Sequence, residues 1–244
     1  MKLHNIPAFL FFTGMMLQAA GLRAQKQEVE SINGLFALQA GLPAKSMQPA
    51  IQNKMGNTGF GVGLTVLTNP FSWGRTKRNS PLRIGAELGY TYYGRFITDV
   101  DINGYDGDYK TAYGILNLNA VLQLRPSTPE IISPFIEVLA GGSFYLSSIR
   151  ENLGAIESAL GLPAFELDAY SSASFNKGIA IGCSFGKVRK HQPRFTLRGS
   201  YNIGSDIKYI VRNSLQYDPY SGFLEYSVGK APVRYFLVQV GVGF

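Results

Sequence analysis

The C-terminal stretch Arg234-Tyr-Phe-Leu-Val-Gln-Val-Gly-Val-Gly-Phe244 decides the fold of this chain. Successive side chains of a β-strand point to opposite sides of the sheet, so alternate residues share a face. One face then carries Phe236, Val238, Val240, Val242 and Phe244, and the other carries Leu237, Gln239, Gly241 and Gly243. This strand is therefore continuously apolar on one side and mostly small or polar on the other.

The same alternation recurs in seven earlier segments, at residues 35–42, 59–68, 82–93, 109–125, 134–147, 173–188 and 194–205. In the third segment, the apolar face lies opposite Arg83 and Glu87. Burying these charges in a soluble core would be costly, whereas a barrel lumen can pair them. Periodicity defines the two faces but not which one points outward. We predict an all-β fold: an eight-stranded, antiparallel, up-and-down transmembrane β-barrel with its apolar face toward lipid.

The connections between these segments alternate in length. Residues 69–80, 126–133 and 189–193 form comparatively short turns, whereas residues 43–58, 97–108, 148–172 and 206–232 form longer loops. An even number of strands places both termini on the short-turn side. Aromatic residues near the strand ends predict two interfacial girdles. One contains Tyr90, Tyr92, Tyr93, Phe96, Tyr109, Tyr113, Phe144 and Tyr201, and the other contains Phe71, Trp73, Phe135, Phe195 and Phe244.

The N-terminus has the features of a secretory signal peptide. Lys2 precedes an apolar run from Ile6 to Leu17, which is too short to span a bilayer as a helix, and small residues follow it. We therefore divide the chain into a signal peptide (1–24), a periplasmic N-terminal segment (25–34) and a barrel domain (35–244). The net charge of +7 comes from scattered basic residues without a nucleic-acid motif, so we do not expect a nucleic-acid partner.

With its alternating strands and terminal Phe244, the chain resembles the small outer-membrane barrels of the OmpA/OmpX-like and PorT-like families. This resemblance implies export through the periplasm to the outer membrane of a Gram-negative cell, and contact with outer-membrane lipid and lipopolysaccharide. It also implies a C-terminal signal, Val240, Val242 and Phe244, that the barrel assembly machinery recognises. Barrels of this kind do not share one activity. We expect a non-enzymatic structural or surface-interaction role, and the alternatives are a narrow pore or transport and secretion accessory, or a soluble lipocalin-like binding barrel.

The predicted lumen face carries a set of polar side chains that could form a catalytic or transport constellation. An eight-stranded barrel is only wide enough for its own side chains, so a paired internal plug is the simpler interpretation. The charged residues Arg83, Glu87, Arg125, Glu137 and Arg198 make up this constellation, and with Asn117, Asn119 and Gln239 they form the predicted polar network of the lumen. His4 lies in the signal peptide and His191 in a predicted short turn, so neither can assist an outer-face nucleophile. We predict no catalytic and no cofactor-binding residues.

One short motif suggests a metal. Asp99, Asp101 and Asn103 stand at alternate positions before Gly104, as in the first half of an EF-hand calcium loop. The match fails at Lys110, where the bidentate glutamate should stand. Asp106 or Asp108 could replace that ligand, which would make Asp99, Asp101, Asn103, Asp106 and Asp108 a calcium site. A solvated acidic loop explains the same residues.

Overall fold

In a computed structural model, the chain forms a closed β-barrel. The structure describes residues 32–51, 58–72, 80–102, 105–126, 131–151, 166–186, 194–211, 214–218, 220 and 223–243. The strands are β1 (Ile32–Pro43), β2 (Gly59–Thr68), β3 (Leu82–Ile102), β4 (Tyr105–Leu124), β5 (Ile132–Glu151), β6 (Glu166–Phe185), β7 (Arg194–Ile210), β8 (Gln216–Asp218), β9 (Phe223–Glu225) and β10 (Val228–Gly243). One 3-10 turn follows β1 at Gln48–Ala50.

Over the described residues, eight of these strands close in the order β1-β10-β7-β6-β5-β4-β3-β2, with antiparallel neighbours. The C-terminal strand completes the barrel by pairing with the first, from Leu35 opposite Gly243 to Pro43 opposite Tyr235. Closure gives every barrel strand two neighbours and removes the free edges of an open sheet. The predicted eight-stranded antiparallel barrel is confirmed, and β1 begins at Ile32, three residues before the predicted boundary.

The barrel is apolar outside and polar inside. Leu88 and Ile181 are 48% and 62% exposed on the outer wall, whereas Arg83 and Glu87 are 3% and 1% exposed in the interior. An outer wall of aliphatic and aromatic side chains suits contact with acyl chains rather than water. The lipocalin-like alternative, which needs the apolar face around an internal ligand, is therefore wrong. Among the described residues, no helix has the length and hydropathy to cross a membrane.

Several strands extend well beyond the predicted bounds. β3, β4, β5 and β6 each contain 20 or 21 residues, and much of the predicted loops 97–108 and 148–172 is paired strand. A strand of 20 residues at 3.3 Å per residue, tilted by about 40°, rises roughly 50 Å, twice a ~25 Å apolar band. The predicted loops were wrong because antiparallel hairpins stay paired in water, where the ladder still satisfies the backbone. We call this four-stranded extension the β3–β6 arm.

A bulge at the base of the arm reverses which residues of β3 point outward. The register with β4 shifts between Tyr92 and Gly94, and Gly94 has a φ of 100°, a conformation that favours glycine. Beyond the bulge, Arg95 and Asp99 are exposed while Val100 is buried. The alternation predicted for residues 82–93 of β3 therefore does not continue into the arm.

Part of the predicted aromatic girdle lies inside the barrel. Tyr93, Tyr109, Tyr113 and Phe135 are all buried, so their assignment to the outer wall was wrong. Their parity on the strand, rather than their position near its end, decides which way they point. Tyr90, Tyr92, Phe144, Phe71 and Phe195 are exposed as expected. Trp73 and Phe244 lie outside the described residues.

The fourth long loop covers the inner side of the arm. Its hairpin, β8 paired with β9, carries Tyr217 and follows Leu215. Leu215 packs with Val100, Tyr109, Ile149 and Ile210 in a buried apolar cluster above the barrel. The long-loop end is therefore a folded β-structure, at least over the part that the structure describes.

Candidate functional site

The centre of the lumen is an ion-paired triad on three strands. Arg198 of β7 donates from Nε to Glu137 Oε2 of β5 at 2.6 Å, and its Nη2 lies 2.5 Å from Glu87 Oε2 of β3. All three side chains are at most 2% exposed. A buried charge is tolerated when it is paired and hydrogen-bonded, and the planar guanidinium has enough donors for both carboxylates.

Amide side chains extend this triad across the barrel. Gln123 of β4 donates to Glu137 Oε1 at 2.8 Å, and Arg198 Nη1 donates to Gln239 Oε1 of β10. Gln239 in turn donates to Gln39 Oε1 at 2.9 Å. Gln39 then donates to Thr91 Oγ1 of β3 at 2.8 Å. The chain of contacts thus reaches from β4 to β1 and back to β3, and it spans the lumen at one level.

A second polar layer lies nearer the long-loop end. Asn117 Oδ1 accepts hydrogen bonds from Ser143 Oγ and from the hydroxyl of Tyr235, both at 2.7 Å. Asn176 Nδ2 donates to Ser143 Oγ at 2.5 Å. These residues come from β4, β5, β6 and β10, so this layer also ties separate walls of the barrel together.

Above the polar layers, the lumen is filled by apolar and aromatic side chains. Tyr93, Tyr113, Tyr145 and Tyr235 point inward and belong to one buried cluster. The loop after β1 folds into it, and Met47 and Ile51 are both 0% exposed. The Tyr145 hydroxyl donates to the carbonyl oxygen of Ala50 at 2.5 Å and holds this loop in place. We call residues 47–51 the loop plug.

The short-turn end is polar over the described residues and contains a small cavity of about 30 Å³. Arg125, Arg194 and Glu137 are among its lining residues, and Arg194 Nη2 donates to Ser133 Oγ at 3.0 Å. A cavity needs about 10 to 15 Å³ to hold one water, so this cavity has room for roughly two waters. A cavity of this size does not open a path through the layers above it.

The structure places the whole predicted lumen set inside the barrel. Arg83, Glu87, Asn117, Asn119, Arg125, Glu137, Arg198 and Gln239 are all buried polar residues. Sequence reasoning missed Gln39, Asn176 and Tyr235, which share the inward parity of their strands and could have been found by extending the alternation. It also missed Met47 and Ile51, since a loop that folds into a lumen has no periodic signal.

The proposed calcium loop has a different backbone from an EF-hand. Asp99 pairs across the hairpin with Asp108, and Asp101 pairs with Asp106, in the antiparallel ladder of β3 and β4. This extended ladder differs from an EF-hand loop, which curls its ligands around one point, and the calcium site stays a prediction. Asn103 and Gly104 lie outside the described residues. Within the part of the chain that the structure describes, no cluster of three or more His, Cys, Asp or Glu could hold a metal.

The proposed assembly signal lies on the outer side of the closing strand. Val240 and Val242 are 41% and 48% exposed on the outer wall of β10, and Phe244 lies beyond the described residues. His4 and His191 also fall outside them, as does the predicted signal peptide.

Neither a protein-family model nor a curated protein sequence matches the chain. Solved structures of similar fold include neisserial surface protein A, with 11% identity, a TM-score of 0.43, and 89% of this chain and 98% of that chain covered. A major outer membrane protein of Thermus thermophilus has 12% identity and a TM-score of 0.49, and the match covers 86% of this chain and 98% of that chain. The outer membrane protease OmpT of Escherichia coli has 9% identity and a TM-score of 0.38, and the match covers 91% of this chain and 99% of that chain. At such low identities and TM-scores, these likenesses carry no argument about activity.

Proposed function

We propose that this chain is a sealed, non-enzymatic barrel of a bacterial outer membrane that presents the β3–β6 arm at the cell surface. The observation that carries this proposal is the filling of the lumen by three successive layers. The Arg198 triad and its amides, the Asn117 layer and the loop plug each use side chains from several walls. A solute crossing the barrel would have to break all three.

The membrane location is supported by the outer wall. Large apolar side chains remain exposed on every barrel strand, including Phe36, Phe60, Leu118 and Phe175 at 51%, 64%, 52% and 68%. In water such a wall would aggregate, whereas acyl chains solvate it at no cost. Closed barrels also satisfy all backbone groups internally, which the hydrocarbon requires. Export through the periplasm, assembly through the C-terminal strand and contact with lipopolysaccharide belong to the same proposal, as does a narrower likeness to the OmpA/OmpX-like or PorT-like barrels.

The role at the surface is supported by the arm. Its outer side changes from apolar residues such as Tyr92 to charged residues such as Arg95, Asp99 and Arg150. This change fits the passage from hydrocarbon to water. Folded structure that continues far beyond the apolar band is available for contact with surface molecules or with other envelope components.

Conductance measurement on the folded barrel tests this function. The purified chain, refolded into detergent and then into planar bilayers, should give no channels above the lipid background. A double substitution, M47S/I51S, should also stay silent because the Arg198 layer still fills the lumen. Steady single-channel steps from the unaltered chain would refute the sealed barrel and favour the narrow pore.

A further inference from the structure

The outer wall carries an unbalanced group of basic side chains on one side of the barrel. Lys177 of β6, Lys208 of β7, and Lys230 and Arg234 of β10 are all exposed. Alternation places them outward, because Asn176, Ile207, Tyr209, Ala231 and Val233, which flank them in sequence, are buried in the interior. We call these four residues the basic wall.

Pairing brings the four side chains together in two rows. Lys177 and Arg234 both pair with Ile203, from opposite sides, so about two strand spacings, roughly 10 Å, separate their Cα atoms. Lys208 lies directly opposite Lys230 in the row above. Two like charges at directly opposed positions destabilise a sheet unless something neutralises them.

The protein supplies little neutralisation. The acidic residue in the same stretch of wall is Asp206, which is exposed and pairs with Pro232. Within the described part of the chain, no ion pair joins Asp206 or another carboxylate to any of the four cations. Among the described residues of this patch, four cations and one acid leave a net charge of about +3.

The adjoining wall, formed by β3, β4 and β5, carries acidic residues beside its basic ones. There Lys110 of β4 lies directly opposite Arg150 of β5, as Lys208 lies opposite Lys230. On that side, however, the cross-strand pair Asp99 and Asp108 lies on the same outward face, two residues farther out than Lys110. Among the described residues, the excess of basic over acidic side chains is therefore larger on β6, β7 and β10 than on β3, β4 and β5.

The surroundings of the basic wall select the chemistry of its partner. Lys177 stands between Phe175 and Ile179, which are 68% and 62% exposed on the same face. A lysine among lipid-facing side chains must extend its ammonium to the headgroup level, where it meets phosphate. A soluble polyanion would not explain the apolar neighbours, whereas a lipid carries phosphate and acyl chains in one molecule.

We propose that Lys177, Lys208, Lys230 and Arg234 form a binding site for the phosphate groups of an anionic outer-leaflet lipid whose acyl chains lie on the apolar wall below. This inference rests on the proposed membrane location and identifies one lipid-contact surface on the barrel. Two rows of cations at different heights suit a lipid with more than one phosphate.

The preference of the folded barrel for an anionic lipid tests the site. The refolded chain is placed in phosphatidylcholine vesicles, and spin-labelled phosphatidylglycerol and phosphatidylcholine report the relative association of each lipid with the protein. The test variants are K208Q/K230Q and K177Q/R234Q, and K110Q/R150Q is the control that also removes an opposed basic pair. At low salt we expect the preference for phosphatidylglycerol to fall by up to about fivefold per cation removed in the test variants. The control should keep the preference of the unaltered chain.

Each other outcome contradicts the site. An equal fall in all three variants means general electrostatic attraction. Competition by millimolar inorganic phosphate means that free phosphate, rather than a lipid, is the ligand. An unaltered chain that inserts with heat-modifiable gel migration but shows no lipid preference overturns this site alone. A chain that does not insert overturns the proposed function as well, because the basic wall would then face water.

Discussion

Replacing Arg198 by methionine is the sharpest test of the lumen architecture. Methionine keeps most of the side-chain length but removes the charge shared by Glu87 and Glu137, both almost fully buried. Removing one partner from a buried ion pair typically costs roughly 3 to 5 kcal/mol, because the remaining charge is left without compensation. Two carboxylates lose the same partner here. We therefore expect the free energy of unfolding to decrease by about 5 kcal/mol, the upper end of this range.

A triple variant, R198M/E87Q/E137Q, is the matched control. It removes all three charges while keeping amide groups where the carboxylates accepted hydrogen bonds, including the one from Gln123. Replacing a complete buried ion-pair group by neutral residues is often close to neutral. We expect the triple variant to recover at least about 3 kcal/mol relative to R198M. Arg198→Lys should fall between the two, because a single ammonium cannot replace the planar fork that contacts both glutamates.

The assay is urea unfolding of the refolded barrel in phosphatidylcholine vesicles, followed by the shift between folded and unfolded bands on unheated gels. Reversibility is checked by approaching each urea concentration from both directions. A loss below about 1 kcal/mol for R198M would mean that water reaches the glutamates and that the lumen is open. Equal losses in the single and triple variants would mean that packing volume, not charge pairing, matters at this position.

Four further predictions concern other parts of the molecule. Glu137→Ala should lower the melting temperature, since Gln123 loses its acceptor and Arg198 loses one of its two carboxylates. Planar-bilayer recordings should show no new conductance, and a stable variant with altered conductance would favour a pore. Leu118→Arg places a charge on the exposed wall of β4 and should cost about 2 to 4 kcal/mol in vesicles, whereas no loss in the urea titration would contradict lipid contact. Calcium titration of the folded barrel by calorimetry, with D99N/D108N as control, tests the acidic hairpin, and absence of heat at millimolar ion would eliminate that site. Deleting Phe244 should slow assembly by reconstituted assembly machinery, measured as the rate of appearance of the folded gel band, and an unchanged rate would show that Phe244 is not part of the signal.

The two faces of the strands near the short-turn end of the barrel could be predicted from the sequence. Alternation in β2 and β10 separated the two faces correctly, and the bounds predicted for β2, 59–68, are those observed. This worked because strand side chains have a period of two residues and one face must meet a uniform solvent. Arg83 and Glu87 lie on the less apolar face of β3, and their charges favoured the interpretation that this face lines a lumen. The signal peptide and the calcium site remain predictions.

The tertiary structure alone decided what fills and covers the barrel. Met47 and Ile51 are buried only because their loop folds back into a mouth formed by distant strands, and no local pattern encodes that closure. The bulge at Gly94 reverses the parity of β3, so the residues beyond it cannot be assigned by counting. Arg198 finds Glu87 and Glu137 only when barrel closure brings β3, β5 and β7 around one interior. Local alternation depends on neighbours in the chain and is written in the sequence, whereas contacts across a lumen depend on closure and register, which arise only in the folded barrel.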